Sequence, residues 1–64
     1  MQYTVNGDPH EAEAISIAEL VAGLTSATQG VAVALNGDVV PRSAWDRALT
    51  DGDVVDVLTA VQGG

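Results

Sequence analysis

The sequence predicts a small α+β fold, a mixed sheet of four or five strands covered on one face by a single helix. Three observations predict it: alternating and continuous apolar runs with strand lengths, two Asn-Gly dipeptides that fold strands back on themselves, and one helix-start signal between those dipeptides.

Met1, Tyr3 and Val5 alternate with Gln2, Thr4 and Asn6, the period-two pattern of a strand with one buried face. Asn6-Gly7 is a turn. Beyond Asp8-Pro9, Ala12 and Ala14 alternate with Glu11 and Glu13, so residues 1–15 are expected to form a β-hairpin whose second strand faces water on one side. Ser16 followed by Glu19 has the reciprocal spacing of a capping box. Ile15 and Leu20 stand where a hydrophobic staple forms, so a helix should start at Ile17. Ile17, Leu20, Val21 and Leu24 then share one face, the stripe of a helix laid over a sheet. Thr25, Ser26, Thr28 and Gly30 end it in a loop.

Val31 to Leu35 is apolar on both faces, and so is Val54 to Val61 with Asp56 as the exception. Both patterns predict strands inside the sheet. Asn36-Gly37 returns the chain through Asp38, Val39 and Val40 until Pro41, which lacks a ladder donor, ends the short strand. Ser43 to Leu49 reads as one or two irregular helical turns capped by Ser43, with Trp45 and Leu49 pointing the same way. Asp51-Gly52 turns the chain once more.

The order is hairpin, helix, strand, short strand, turn, final strand. One helix must cover one sheet face, because nothing else in the chain can bury Ile17, Leu20, Val21 and Leu24. This is the β-grasp arrangement, with the first and last strands paired in parallel at the centre. A length of 64 residues fits a single domain, residues 1–64, with a tail at 62–64.

Nine acids face only two cations, Arg42 and Arg47, giving a net charge of −7 without a single lysine. Such a body repels phosphate backbones and anionic membranes, so neither nucleic acid nor membrane is an expected partner and basic protein surfaces are. Keeping a small apolar protein soluble would by itself explain the acids equally well. The chain has no cysteine, which excludes disulfides and thiolate metal sites and suits a reducing compartment. No signal-peptide pattern and no apolar stretch near the ~20 residues that span a bilayer is present, so the expected location is cytoplasmic.

The sequence closes on Gly63-Gly64, directly after the last predicted strand. A diglycine tail is thin enough to enter a narrow cleft that any β-carbon would obstruct, and the α-carboxyl at its end is ionised at neutral pH. The reactive group is thus expected to be the terminal carboxylate of Gly64, with Gly63 giving it access.

Other candidates are weaker. His10, the one histidine, together with Ser16, Ser26 or Ser43 and an acid has the membership of a triad, but so small a domain offers little pocket to preorganise one. Asp51, Asp53 and Asp56 lack the remaining ligands of a calcium loop and read as turn formers and solvated charge. Arg42 either pairs with a nearby acid or belongs to a docking surface. Trp45 is either a half-buried anchor or a binding platform. The position of the tail places a partner surface on the sheet face near the last strand.

Leu35-Asn36-Gly37-Asp38-Val39-Val40-Pro41-Arg42-Ser43-Ala44-Trp45, Leu49-Thr50-Asp51-Gly52-Asp53-Val54-Val55 and Val61-Gln62-Gly63-Gly64 together resemble the ubiquitin-like sulfur carriers of thiamine biosynthesis, the ThiS family. Gln62 departs from the small residue that many relatives carry there. The resemblance implies a carrier protein, not an enzyme, that binds no cofactor itself and is a monomer when free. A partner adenylyltransferase of the ubiquitin-activating type uses ATP and Mg²⁺ to adenylate Gly64. Sulfur from a cysteine desulfurase or rhodanese-type donor then displaces AMP, and the thiocarboxylate passes its sulfur to thiazole synthase. Arg42, Trp45, Val61 and Gln62 are the docking positions it suggests. Two other readings share parts of the pattern. A molybdopterin synthase small subunit or a ubiquitin-like modifier shares the activation but not the acceptor, and a non-catalytic acidic interaction domain would carry an inert tail.

Overall fold

Strands β1 (Gln2–Val5) and β2 (Asp8–Glu11) precede helix α1 (Ile17–Leu24), and β3 (Val31–Leu35), β4 (Asp38–Val40), a 3₁₀ turn at Arg42–Ala44 and β5 (Asp53–Thr59) follow. This is a computed structural model that describes residues 1–26 and 29–59. The strands form one sheet in the order β2-β1-β5-β3-β4, with β1 parallel to β5 and the other neighbours antiparallel. The expected β-grasp topology, with the first and last strands paired in parallel, is therefore present.

Both Asn-Gly turns have the geometry that fixes register. Asn6 (φ 51°) and Gly7 (φ 85°), like Asn36 (φ 51°) and Gly37 (φ 89°), place two consecutive residues at positive φ, as a type I′ hairpin turn requires. At the first turn this pairs Val5 directly with Asp8, so β2 begins at Asp8 and ends at Glu11. The expected alternation of Ala12 and Ala14 is not part of it, and β2 is exposed along its whole length. Pro9 is tolerated inside the strand because β2 is an edge and Pro9 stands opposite Thr4 between two hydrogen-bonded positions, where its nitrogen faces away from β1.

Helix α1 starts as expected. Ser16 Oγ accepts from Glu19 N (3.1 Å) and the Glu19 carboxylate accepts from Ser16 N (3.0 Å), the reciprocal capping box. The remaining N-terminal amides are satisfied from outside the helix: Ile17 N donates to Arg47 O and Ala18 N to Trp45 O. With Leu49 N on Ile15 O, these bonds tie residues 45–49 to the helix start. Ser43 caps nothing. The 3₁₀ turn begins after Pro41, without a side-chain cap bond, because the bonds Ala44 N to Pro41 O and Trp45 N to Arg42 O close it.

The core lies between α1 and one sheet face: Tyr3, Val5, Ile17, Leu20, Val21, Val33, Leu35, Val40, Trp45, Leu49, Val55 and Val57 are buried. Leu24 is not among them. It shares the angular position of Ile17 but sits at the last helical residue, past the core cluster, and remains 48% exposed. The second expected two-sidedness also fails. β3 and β5 are interior strands by hydrogen bonding, yet Ala32, Val54, Asp56 and Leu58 are exposed, because the single helix covers only one face.

Candidate functional site

Strand β5 leads to the diglycine and is held by an unusual amount of side-chain bonding. On one side its ladder with β1 stops at Val5 opposite Val55. Asn6 then carries it further: its main-chain N–H donates to Val55 O (2.9 Å), its Oδ1 accepts from Val57 N (2.8 Å) and its Nδ2 donates to Val57 O (3.2 Å). The side-chain amide thus stands in for one more peptide unit of β1. On the other side Asn36 does the same for β3, donating from its N–H to Val54 O (2.7 Å) and accepting at Oδ1 from Val54 N (2.9 Å).

Asn36 also reaches the start of β5. Its Nδ2 donates to Asp53 Oδ1 (3.1 Å), which takes a second bond from the Thr50 hydroxyl (3.1 Å), while Asp53 Oδ2 accepts from Thr50 N (2.8 Å). Asp53 is the buried charged residue of the described core. The Thr50 N–H holds its carboxyl below the usual carboxylate value. Burial opposes this, and the Asn36 amide, the Thr50 hydroxyl and the positive charge of Arg47 assist it. The reading of Asp53 as solvated charge is therefore corrected. Asp51 is a turn former as expected, its carboxylate accepting from Gln2 N (2.6 Å).

The sheet face opposite α1 is open and apolar. Val39 (79% exposed), Leu58 (71%) and Val54 (45%) lie on it with Ala32 and Ala34, and Asp56 stands among them on the central strand. Its place beside β5 is where the position of the tail put a partner surface.

The other expected site residues are distributed as follows. Trp45 is buried, donating from Nε1 to Val40 O (3.2 Å), and the Arg42 guanidinium lies 5.3 Å from its ring centre, so these two are brought together. They line a groove beside α1 with Val21, Ala22 and Thr25, away from the open sheet face. Trp45 is thus an anchor whose buried ring also supports Arg42. His10 stacks on Tyr3, with ring centres 5.5 Å apart, while Ser16 is committed to the helix cap. Among the described residues no three His, Cys, Asp or Glu side chains form a metal-binding group. Val61, Gln62, Gly63 and Gly64 lie outside the described residues.

The sequence marks Asn6 and Asn36 as turn residues and Asp53 as a turn former and solvated charge, without the roles they take on β5. Each Asn-Gly dipeptide signalled positive φ, but the second role of the asparagine depends on β5 returning between the two hairpins, which no local pattern encodes.

The family model of ThiS matches residues 3–64. Sulfur carrier protein ThiS of Thermus thermophilus is 38% identical over 61 residues, covering 94% of this chain and 95% of that protein. The crystal structure of the thiamine biosynthesis protein ThiS from Geobacter metallireducens superimposes with a TM-score of 0.79 at 39% identity, with both chains fully covered. A solution structure of a thiamine biosynthesis protein from the same organism gives 0.80 at 40% identity, covering this chain completely and 88% of the other. A β-grasp sheet with one open face, a last strand clamped on both sides and a match running through Gly63-Gly64 thus agree, and the chain belongs to the ThiS family.

Proposed function

We propose that this protein is the sulfur carrier for the thiazole moiety of thiamine, with the Gly64 carboxylate as the group that is charged and discharged. The observation that carries this reading is the family match over residues 3–64 together with a last strand paired in the sheet up to Thr59, five residues before the chain's Gly64. A tail needs a fixed root if its end is to be delivered to a defined point, and the two asparagine clamps supply one.

In the reaction, a Gly64 carboxylate oxygen attacks the α-phosphorus of ATP in the partner adenylyltransferase, and pyrophosphate leaves. A persulfide sulfur, supplied by a cysteine desulfurase or rhodanese-type donor, attacks the acyl carbon and AMP departs. A thiol then cleaves the resulting acyl disulfide and frees the thiocarboxylate, which passes sulfur to thiazole synthase. The adenylyltransferase supplies Mg²⁺ and the phosphate-binding groups, since the carrier's contribution is its end, its shape and its charge. The open face of Val39, Val54 and Leu58 serves as the docking surface for these enzymes, because apolar patches of this kind mark association sites. Arg42 and Trp45 form a second, smaller contact region. An ATP-dependent partner places the carrier in the cytoplasm.

Incubation with ATP, Mg²⁺, the cognate adenylyltransferase, a persulfide source and a thiol is expected to raise the intact mass by the difference between sulfur and oxygen. The charged protein should then support thiazole formation by thiazole synthase. An unchanged mass with an adenylyltransferase competent on another carrier would overturn the proposal, and sulfur delivered only to a molybdopterin synthase large subunit would reassign the acceptor.

A further inference from the structure

We infer that Asp56 is the charge by which the activating enzyme recognises this carrier, paired in the complex with one arginine or lysine set in an otherwise apolar surface. This rests on the sulfur-carrier reading above. Asp56 lies at the centre of the open face: Val54 and Leu58 flank it on β5, Ala34 stands directly opposite on β3, and Val39 follows beyond Ala34 on β4. The two cations of the chain are engaged elsewhere, Arg42 over the Trp45 ring and Arg47 toward Asp53. Among the described residues no hydrogen bond or ion pair engages the Asp56 carboxylate.

A partner that covers Val39, Val54 and Leu58 must also cover Asp56, and stripping water from an unpaired carboxylate is costly enough to forbid a purely apolar partner. The complementary surface therefore carries a cation opposite Asp56. Arginine suits it best, since its planar fork holds a carboxylate through two parallel bonds. The same pair rejects wrong partners, because an apolar or acidic residue at that point leaves Asp56 buried and unmatched. It also sets a distance. Gly64 follows Asp56 by eight residues, so the backbone at Asp56 lies within about 28 Å of that at Gly64, the reach of a fully extended segment of that length, and the cation lies one side-chain pair beyond it.

The test measures ATP–pyrophosphate exchange by the cognate adenylyltransferase with the full chain as substrate. Asp56→Asn is nearly isosteric at an exposed position, and circular dichroism melts should match those of the unmodified chain. It is expected to raise KM for the carrier about tenfold or more with kcat little changed, the mark of a contact made equally before and during reaction. Asp56→Glu should recover most of that loss and Asp56→Lys should deepen it. The KM of the unmodified chain should climb with added salt, and that of Asp56→Asn should climb less steeply. An unchanged KM for Asp56→Asn, with or without self-association of the variant, or a loss that Asp56→Glu fails to relieve, would overturn the pairing alone. Absence of exchange with the unmodified chain would instead remove the carrier reading, so the two failures are distinct.

Discussion

Asp53 shows how one carboxylate can organise a junction. It gathers the Thr50 N–H, the Thr50 hydroxyl and the Asn36 amide at the point where β5 begins. Because its folded-state pKa is lowered, the ionised form is the one these donors stabilise. Its contribution is fully present above the unfolded carboxylate value near 4 and is lost as pH falls through the lower folded value. Asp53→Asn turns an acceptor into a mixed group that presents a donor to donors. It is expected to cost about 1–3 kcal/mol in urea unfolding at pH 7. That difference should shrink below about pH 4, as the unmodified chain loses the same charge. A difference independent of pH would mean that shape, not charge, carries the role. Asp51-Gly52-Asp53 announced a turn in the sequence, but the burial of its last carboxylate was not legible, since Asn36 lies 17 residues away along the chain.

At the scale of elements, what was legible was local. The capping box of α1, the two type I′ turns and the strand limits at Val31–Leu35 and Asp38–Val40 each depend on residues within a few positions of one another. Ser16→Ala removes the hydroxyl that holds Glu19 N and is expected to cost about 1 kcal/mol. For a domain of this size that lowers the melting temperature by roughly 4–8 °C. A loss several times larger would show that Ser16 also secures the contact with residues 45–49, where it bridges Ala48. What was not legible depended on partners. Val-Ala-Val-Ala-Leu and Val-Val-Asp-Val-Leu read as two-sided strands, and only the count of covering elements reveals that one side stays bare. Ala12 and Ala14 mimicked a strand because alternation carries no register, whereas the positive-φ turn at Asn6-Gly7 does.

At the scale of the molecule, the described core and the proposed docking surface occupy opposite sides of one sheet. Every residue of the described hydrophobic core precedes Thr59 and lies on α1, on the segment around Trp45 and Leu49 or on the inner sheet face, with Met1, Ala12, Ile15, Val31 and Ala44 packed against it. Val39, Val54, Asp56 and Leu58 of the outer face are not part of that described core, so substitutions there leave its packing intact. Removal of Gly64 separates the two roles. The shortened chain is expected to melt within roughly 2–4 °C of the full chain, the shift that corresponds to a change of about 0.5 kcal/mol in a domain of this size. It should still compete with the full chain for the adenylyltransferase through the open face, while its mass stays unchanged after incubation with ATP and a persulfide donor. Sulfur incorporation by the shortened chain would show that the acyl group is not that of Gly64. Loss of competition would show that the last residue contributes to docking as well as to chemistry.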